Sequence, residues 1–374
     1  MKNKIKILTV IGTRPEAIKM APVIRELERH PAVITGRVCV TAQHRGMLDQ
    51  VLKVFAIRPH YDLDIMAPNQ SSSQIAAAVL TGLKPVLEAE DPDWVLVQGD
   101  TTTAMAAALG AFYGRHRVGH VEAGLRTHDK FQPFPEEINR RVAGVLADLH
   151  FAPTERSRRN LLREGVERAA ILVTGNPVID AMLMAARMSY DPASGALAGI
   201  PWERRLVLVT AHRRENFGKP LENICLALRD LARAYAGGVH IVYPVHPNPN
   251  VRGKVWGLLG KVEGVTLLDP LDYLPLIYLM KRATLVLTDS GGIQEEAPGL
   301  GKPVLVLREV TERPEAVEAG TVRLAGTGRR KIVEMSRELL DNAAVYRKMA
   351  RAVNPYGDGR AAARIVRALL EYRP

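Results

Sequence analysis

Short, nearly continuous apolar runs alternate along the whole chain with stretches whose apolar positions recur at helical spacing. An apolar run with no polar alternation suits a strand covered on both faces, and the amphipathic stretches between such runs suit the helices that cover them. The pattern predicts strands at 5–11, 37–41, 94–98, 117–121 and 171–174, and a second series at 206–210, 240–245, 265–268, 285–288 and 303–307. Two successive strand–helix series predict an α/β protein with two doubly wound, Rossmann-like domains. A break is expected between Gly175-Asn176-Pro177 and the Pro- and Gly-rich stretch 190–201. The last helical segment has no strand after it and can pack on either domain. Pro22 and Pro85 fall inside periodic segments, where each removes a helical hydrogen bond and predicts a kink.

Size supports two cores: the chain has 374 residues, beyond the roughly 250–300 at which one hydrophobic core stops growing. The net charge of +11 raises nucleic-acid binding as a possibility. Its distribution argues against that, because basic residues are interleaved with acids, as in Glu26-Leu27-Glu28-Arg29, and aromatic platforms make up only 5%. An anionic small-molecule substrate suits the charge better. Cys39 and Cys225 lie in separate apolar runs and read as buried hydrophobes, with no disulfide implied. H-E-x-x-H is absent, and His240 and His246 lack a readable third ligand, so no metal and no cofactor is expected. No stretch approaches the roughly 20 apolar residues of a membrane span, and the start, MKNKIKILTVIG, lacks a signal-peptide cleavage site. A cytoplasmic protein with no membrane partner is expected.

The chemistry gathers where strands hand over to helices. Gly12-Thr13-Arg14-Pro15-Glu16 follows the first strand, with Lys19 a turn further on. Pro at a helix start leaves amides free for an anion, to which Arg14 and Lys19 would add charge, while a Glu16–Lys19 surface pair is the plainer alternative. Asp100 follows the strand at 94–98, where a short acid commonly caps a helix. In GHVEAGLRTHDKFQPFPEEINRR, Glu122 ends a strand and Glu136 and Glu137 open a helix; they suit proton transfer, or surface pairing with Arg140 and Arg141. His212 follows the strand at 206–210 beside Arg213 and Arg214, positioned to contact phosphate. Asp289-Ser290-Gly291-Gly292 is an amide-lined phosphate cradle, with Glu296 within reach of ribose hydroxyls. Thr311-Glu312-Arg313-Pro314-Glu315 repeats the Arg-Pro-Glu theme, whereas G-x-G-x-x-G and the P-loop are both missing.

Taken together, GTRPEAIKMAP, TAQHR, GDTTT, GHVEAGLRT, PFPEEINR, TAHRRENFG, DSGGIQEEAP and GKPVLVLREVTERPEA resemble the non-hydrolysing UDP-N-acetylglucosamine 2-epimerases, in order and over nearly the whole chain. The resemblance implies a GT-B fold with domains at 1–175 and 176–360, the helix at 361–374 returning to the first, and UDP-sugar bound in the cleft of a protein that forms homodimers. It implies reversible conversion of UDP-GlcNAc to UDP-ManNAc, by elimination of UDP to a glucal and re-addition. Asp100, Glu122 and Glu136 become acid/base candidates and His212 a catalytic group at the diphosphate. Arg14 and Lys19 fall in the cleft, Ser290, Gly291 and Gly292 on phosphate, Glu296 on ribose and Arg313 on the sugar. Which carboxylate removes the proton stays open; Glu136, in a helix's first turn, is expected to be ionised. Leu276 stands where many members have an aromatic residue near the uracil, and Gly46 replaces a common Glu near a regulatory site of bacterial members. A hydrolysing epimerase, a GT-B glycosyltransferase and a basic nucleic-acid-binding protein are the alternatives.

Overall fold

The buried runs become strands of a 7-stranded and a 6-stranded sheet, every pairing parallel, in a computed structural model that describes residues 4–42 and 45–372. One compact unit comprises Met1–Ala181 with Tyr356–Pro374, and the other Met182–Pro355.

The first unit alternates β1 (Ile5–Ile11), α1 (Arg14–Glu28), β2 (Ile34–Val40), α2 (Arg45–Val54), β3 (Tyr61–Asp62), α3 (Ser72–Glu90), β4 (Trp94–Gln98) and α4 (Thr102–Tyr113). It continues with β5 (Arg117–Val121), α5 (Glu136–Leu146), β6 (Leu149–Ala152), α6 (Glu155–Arg163), β7 (Ile171–Val173) and α7 (Pro177–Arg187), which leads into the second unit. The strand order β3-β2-β1-β4-β5-β6-β7 reverses direction between β1 and β4, and crevices at the carboxyl ends of such a switch point are where open α/β sheets place ligands.

Leu8, Val10, Val95 and Val97 of the sheet are buried against Ala106, Ala107 and Ala108 of α4 and Val79 and Leu83 of α3. Each large apolar side chain removed from water in this way contributes roughly 1.5–3 kcal/mol. The alanines let α4 lie close to the sheet, and Gly12 completes that fit: a Cβ there would stand 2.8 Å from Thr103 Cβ. Helices α1 and α3 both continue through their internal prolines, Pro22 and Pro85. The helix α15 (Ala361–Glu371) also belongs to this unit; its face of Ile365, Val366 and Leu369 is buried, and Tyr372 meets Trp94 edge-on at 5.0 Å.

The second unit runs β8 (Arg205–Thr210), α8 (Lys219–Ala234), β9 (Val239–Pro244), α9 (Pro249–Leu259), β10 (Val265–Leu268), α10 (Tyr273–Arg282), β11 (Leu285–Thr288), α11 (Gly291–Gly299), β12 (Val304–Val306), α12 (Pro314–Glu318), β13 (Val322–Leu324), α13 (Arg329–Asp341) and α14 (Ala343–Ala350). Its order, β10-β9-β8-β11-β12-β13, repeats the doubly wound pattern with a switch point between β8 and β11. Cys39 in β2 and Cys225 in α8 are fully buried, and burial pushes both thiols up to about 12.

Three strands escape the sequence pattern: β3, β6 and β13 have only two, four and three residues. The two residues of β3 carry no periodic signal, and a polar residue interrupts each of the others, His150 in β6 and Arg323 at the centre of β13. Strand β2 begins earlier than the apolar run, because Ile34, Thr35 and Gly36 pair with Ile5, Lys6 and Ile7. No helix among the described residues is long and apolar enough to cross a membrane.

Candidate active site

In the first unit α1, the end of β4 and the segment after β7 converge on the carboxylate of Glu122, which follows β5. This residue holds φ +64°, a left-handed conformation that costs a side chain roughly 1–3 kcal/mol and persists only where surrounding contacts enforce it. Those contacts are specific. Lys19 Nζ lies 2.7 Å from Oε1 and 2.6 Å from Oε2, Asn176 Nδ2 donates to Oε1 at 2.8 Å, and Gln98 Nε2 donates to Oε2. The Glu122 side chain is only 4% exposed, so a cation and two amides replace its water.

Lys19 is therefore not the partner of Glu16. Glu16 is buried and serves the helix start instead, accepting from the amides of Gly12 (3.0 Å) and Thr13 (2.6 Å) and from the Thr101 hydroxyl (2.7 Å). The spacing Thr13-x-x-Glu16 is a capping-box signature that could have announced this role. Burial raises the Glu16 carboxyl against those hydrogen bonds.

Asp100 does not cap α4 either; that position belongs to Thr101, whose hydroxyl accepts from Ala104 N. The Asp100 carboxylate pairs with Arg140 Nη2, while its carbonyl accepts from Asn139 Nδ2 at 3.0 Å. Burial is the largest influence on Asp100 and raises it, and the nearby Glu122 charge adds to this against the pull of Arg140 and Lys19. Arg140 is thus engaged with Asp100 and with Glu137, and Arg141 lies near Glu164, so neither expected surface pair of α5 forms. Glu137 is fully buried and accepts the amides of Thr127 and His128, closing the loop before α5. Glu136 faces a cavity of about 410 Å³ lined also by Thr13, Arg14, Thr101 and Asn139, and its buried Oε2 has no hydrogen-bond partner among the described residues. The structure thus gathers Lys19, Asp100 and Glu122 in one cluster, with Arg14 and Glu136 on the cavity at the same sheet end.

In the second unit, Asp289 organises the switch point. It is fully buried and its Oδ2 accepts from His212 N (2.8 Å), Arg213 N (2.8 Å) and Asn216 Nδ2 (2.9 Å), while Oδ1 stands 3.5 Å from His212 Nδ1. The His212 ring stacks on His246 with centroids 5.2 Å apart. Burial, with His246 and Arg213, lowers His212 against the opposing pull of Asp289. Helix α11 starts at Gly291 with no side-chain cap from Ser290, and the first amides of a helix have no intrahelical acceptor. A Cβ on Gly291 would point at Arg213 Nη2 (3.7 Å) and Arg313 Nη2 (3.8 Å), so two guanidiniums overhang the helix start. Arg313 is braced by Glu295. Glu296 is buried and accepts from Tyr273 OH at 3.0 Å. Ser290, Gly291, Gly292, Arg313 and His212 thus form one basic, amide-lined cradle, with Glu296 one turn into α11.

The organising roles of Asp289, Asn176, Gln98 and Arg140 do not follow from the sequence pattern. Asp289 had a readable signal, an acid between a strand end and a Ser-Gly-Gly helix start; the other three act through contacts between distant segments. Leu276 is half-buried in α10, and Gly46 is exposed with open space where a side chain would begin, while Gln43 and His44 of the TAQHR motif lie outside the described residues.

Two Rossmann-like domains, one ending in buried carboxylates and the other in a basic anion cradle, place the protein in the GT-B class of α/β proteins. The sequence profile of the UDP-N-acetylglucosamine 2-epimerase family matches residues 25–370. A probable UDP-N-acetylglucosamine 2-epimerase of Ralstonia solanacearum is 57% identical over 98% of this chain and 99% of its own. The UDP-N-acetylglucosamine 2-epimerase of Escherichia coli K12 is 56% identical over the same shares. The crystal structure of the Neisseria meningitidis UDP-GlcNAc 2-epimerase bound to UDP-GlcNAc aligns with a TM-score of 0.88 at 51% identity, covering 98% of this chain and 100% of that one. The chain belongs to the UDP-N-acetylglucosamine 2-epimerase family.

Proposed function

We propose that the protein interconverts UDP-GlcNAc and UDP-ManNAc without consuming water. In the forward direction the C1–O bond to UDP breaks and a carboxylate takes the C2 proton, leaving a 2-acetamidoglucal and UDP. Re-addition of UDP at C1 and return of a proton to the other face of C2 complete the cycle. The C2 proton has no adjacent carbonyl to acidify it, so the reaction needs both a placed acid/base set and strong stabilisation of the departing diphosphate.

The observation that carries this reading is the enclosed carboxylate of Glu122, strained at its strand end and held by Lys19, Gln98 and Asn176. Asp100 and Glu136 complete the acid/base set; burial and the Glu122 charge raise Asp100 against the pull of Arg140 and Lys19. Arg14, on the cavity with Glu136, supplies positive charge to the bound substrate. The amides of Gly291 and Gly292, with Ser290 and His212, take the diphosphate, Arg313 adds charge toward the sugar, and Glu296 takes ribose hydroxyls. The active species in this reading is a homodimer, checked by light scattering of the purified protein.

Incubation with UDP-GlcNAc in heavy water, followed by NMR, tests the proposal. UDP-ManNAc carrying deuterium at C2 supports it. Unchanged substrate refutes it, and free ManNAc with UDP but no UDP-ManNAc would favour the hydrolysing reaction instead.

A further inference from the structure

Glu122 is held by a residue far from its own strand. Asn176 lies 54 positions later, is buried, and uses every polar group of its side chain: Oδ1 accepts from Val178 N at 3.2 Å and Nδ2 donates to Glu122 Oε1 at 2.8 Å, while its backbone N–H donates to Tyr356 O at 2.6 Å. The network fixes the orientation of the side-chain amide, because a flip would set its oxygen against a carboxylate oxygen and its NH2 against the Val178 N–H. Close packing fixes its backbone. Gly175 has φ +86°, and a Cβ there would stand 3.2 Å from both Gly357 Cα and Tyr356 O, so the chain leaving the first unit and the chain returning to it touch here.

We propose that Asn176 is a positioning residue that orients the Glu122 carboxylate and fastens it to the returning segment at Tyr356. The inference rests on the acid/base role proposed above for Glu122. Lys19 neutralises the carboxylate's charge but its flexible ammonium sets no plane, whereas Asn176 and Gln98 grip one oxygen each and together fix the rotation of the carboxylate.

Two near-isosteric replacements test this. Asn176→Leu removes the donor, and kcat is expected to fall about 10- to 100-fold while KM and UDP affinity stay within about twofold, the pattern of an interaction that matters in the transition state. Asn176→Asp sets a second carboxyl against Glu122, where two carboxylates share a proton. The protonated Asp still donates as Asn does and the ionised one cannot, so the variant-to-wild-type ratio of kcat falls as pH rises from 5.5 to 9. Lys19, Asp100 and His120, the other titratable groups around Glu122, are common to both proteins, so the pH dependence of that ratio reads the change the new carboxyl introduces into their coupled titration. A kcat for Asn176→Leu within threefold of wild type, or a ratio flat with pH, overturns the proposal. If the Leu variant does not fold, the Asp variant's pH ratio decides alone. Failure of wild type to move deuterium into C2 would instead sink the proposed function, which keeps the two failures separate.

Discussion

Replacing Lys19 by Met removes the cation from Glu122 and leaves the rest of its cage in place. Lys19 Nζ lies 2.6 Å from Glu122 Oε2, with side chains 19% and 4% exposed. Opposite charges about 4 Å apart attract by roughly 4 kcal/mol at the effective dielectric of a protein interior near 20. Stripping one partner from a buried pair costs about 3–5 kcal/mol, because the other charge is left without compensation. Lys19 is not wholly enclosed and Gln98 and Asn176 still donate to the carboxylate, so the lower end, about 3 kcal/mol, is expected for Lys19→Met. Adding Glu122→Gln to that variant removes the orphaned charge, and the two single losses should exceed the double-variant loss by about 2 kcal/mol or more. A two-domain chain need not unfold in one step, so the measurement must report on the first unit. Of the three tryptophans, only the buried Trp94 lies there; Trp202 and Trp256 belong to the other unit. Urea unfolding followed by Trp94 fluorescence, in a background with Trp202 and Trp256 changed to Phe, gives the cycle. A loss below about 1 kcal/mol with no coupling would mean that the pair behaves like a screened surface bridge, and would refute the enclosed carboxylate on which the reading of the site depends.

Glu122→Gln should abolish measurable turnover while UDP affinity by calorimetry stays within about twofold; loss of UDP binding in a folded variant would contradict its assignment to acid/base chemistry. Gly291→Ala should fold, since its Cβ would meet Arg213 and Arg313 no closer than 3.7 Å, yet the methyl occupies the space between amides and guanidiniums, so UDP affinity should fall by about tenfold or more, roughly 1.4 kcal/mol; unchanged affinity would place the diphosphate elsewhere. Asp289→Ala should weaken UDP binding at least as much, because the loop of His212 and Arg213 loses its common acceptor, and amide exchange at 211–217 should rise; protection equal to wild type would show that the loop does not depend on Asp289. Burial pushes His120 and His150 down to about 4 from an ordinary value of 6.5. The unfolded chain therefore binds protons first as pH falls below 6.5, and stability is lost progressively until about pH 4, by roughly 3 kcal/mol per histidine. Thermal unfolding of the apo protein from pH 7 to 4 reads this loss, and a melting temperature flat over that range would show that neither histidine is held neutral.

The strands at 94–98, 117–121, 265–268 and 285–288 coincide residue for residue with the runs read from the sequence, because strands largely covered by helices are mostly apolar. The residues proposed to act were also visible, because each follows such a strand: Asp100, Glu122, His212 and Ser290 all stand just beyond one. Their partners were less visible. Helical spacing offered Arg140 to Glu136 and Lys19 to Glu16, but in the folded chain Arg140 reaches Asp100 and Lys19 reaches Glu122, 103 residues away. Spacing rules see neighbours along one helix, and these pairs are made where a loop or strand end crosses that helix.

Alternation, turn chemistry and the order of motifs are local properties, so the chain by itself determined two doubly wound domains, the strand ends where the candidate residues gather and the likeness to a family. Tertiary structure alone decided which charges meet. A buried carboxylate takes its partners from whatever the packed fold brings within hydrogen-bond distance, and for Glu122 these are a lysine from α1, an amide from β4 and Asn176, held against Tyr356 of the returning chain.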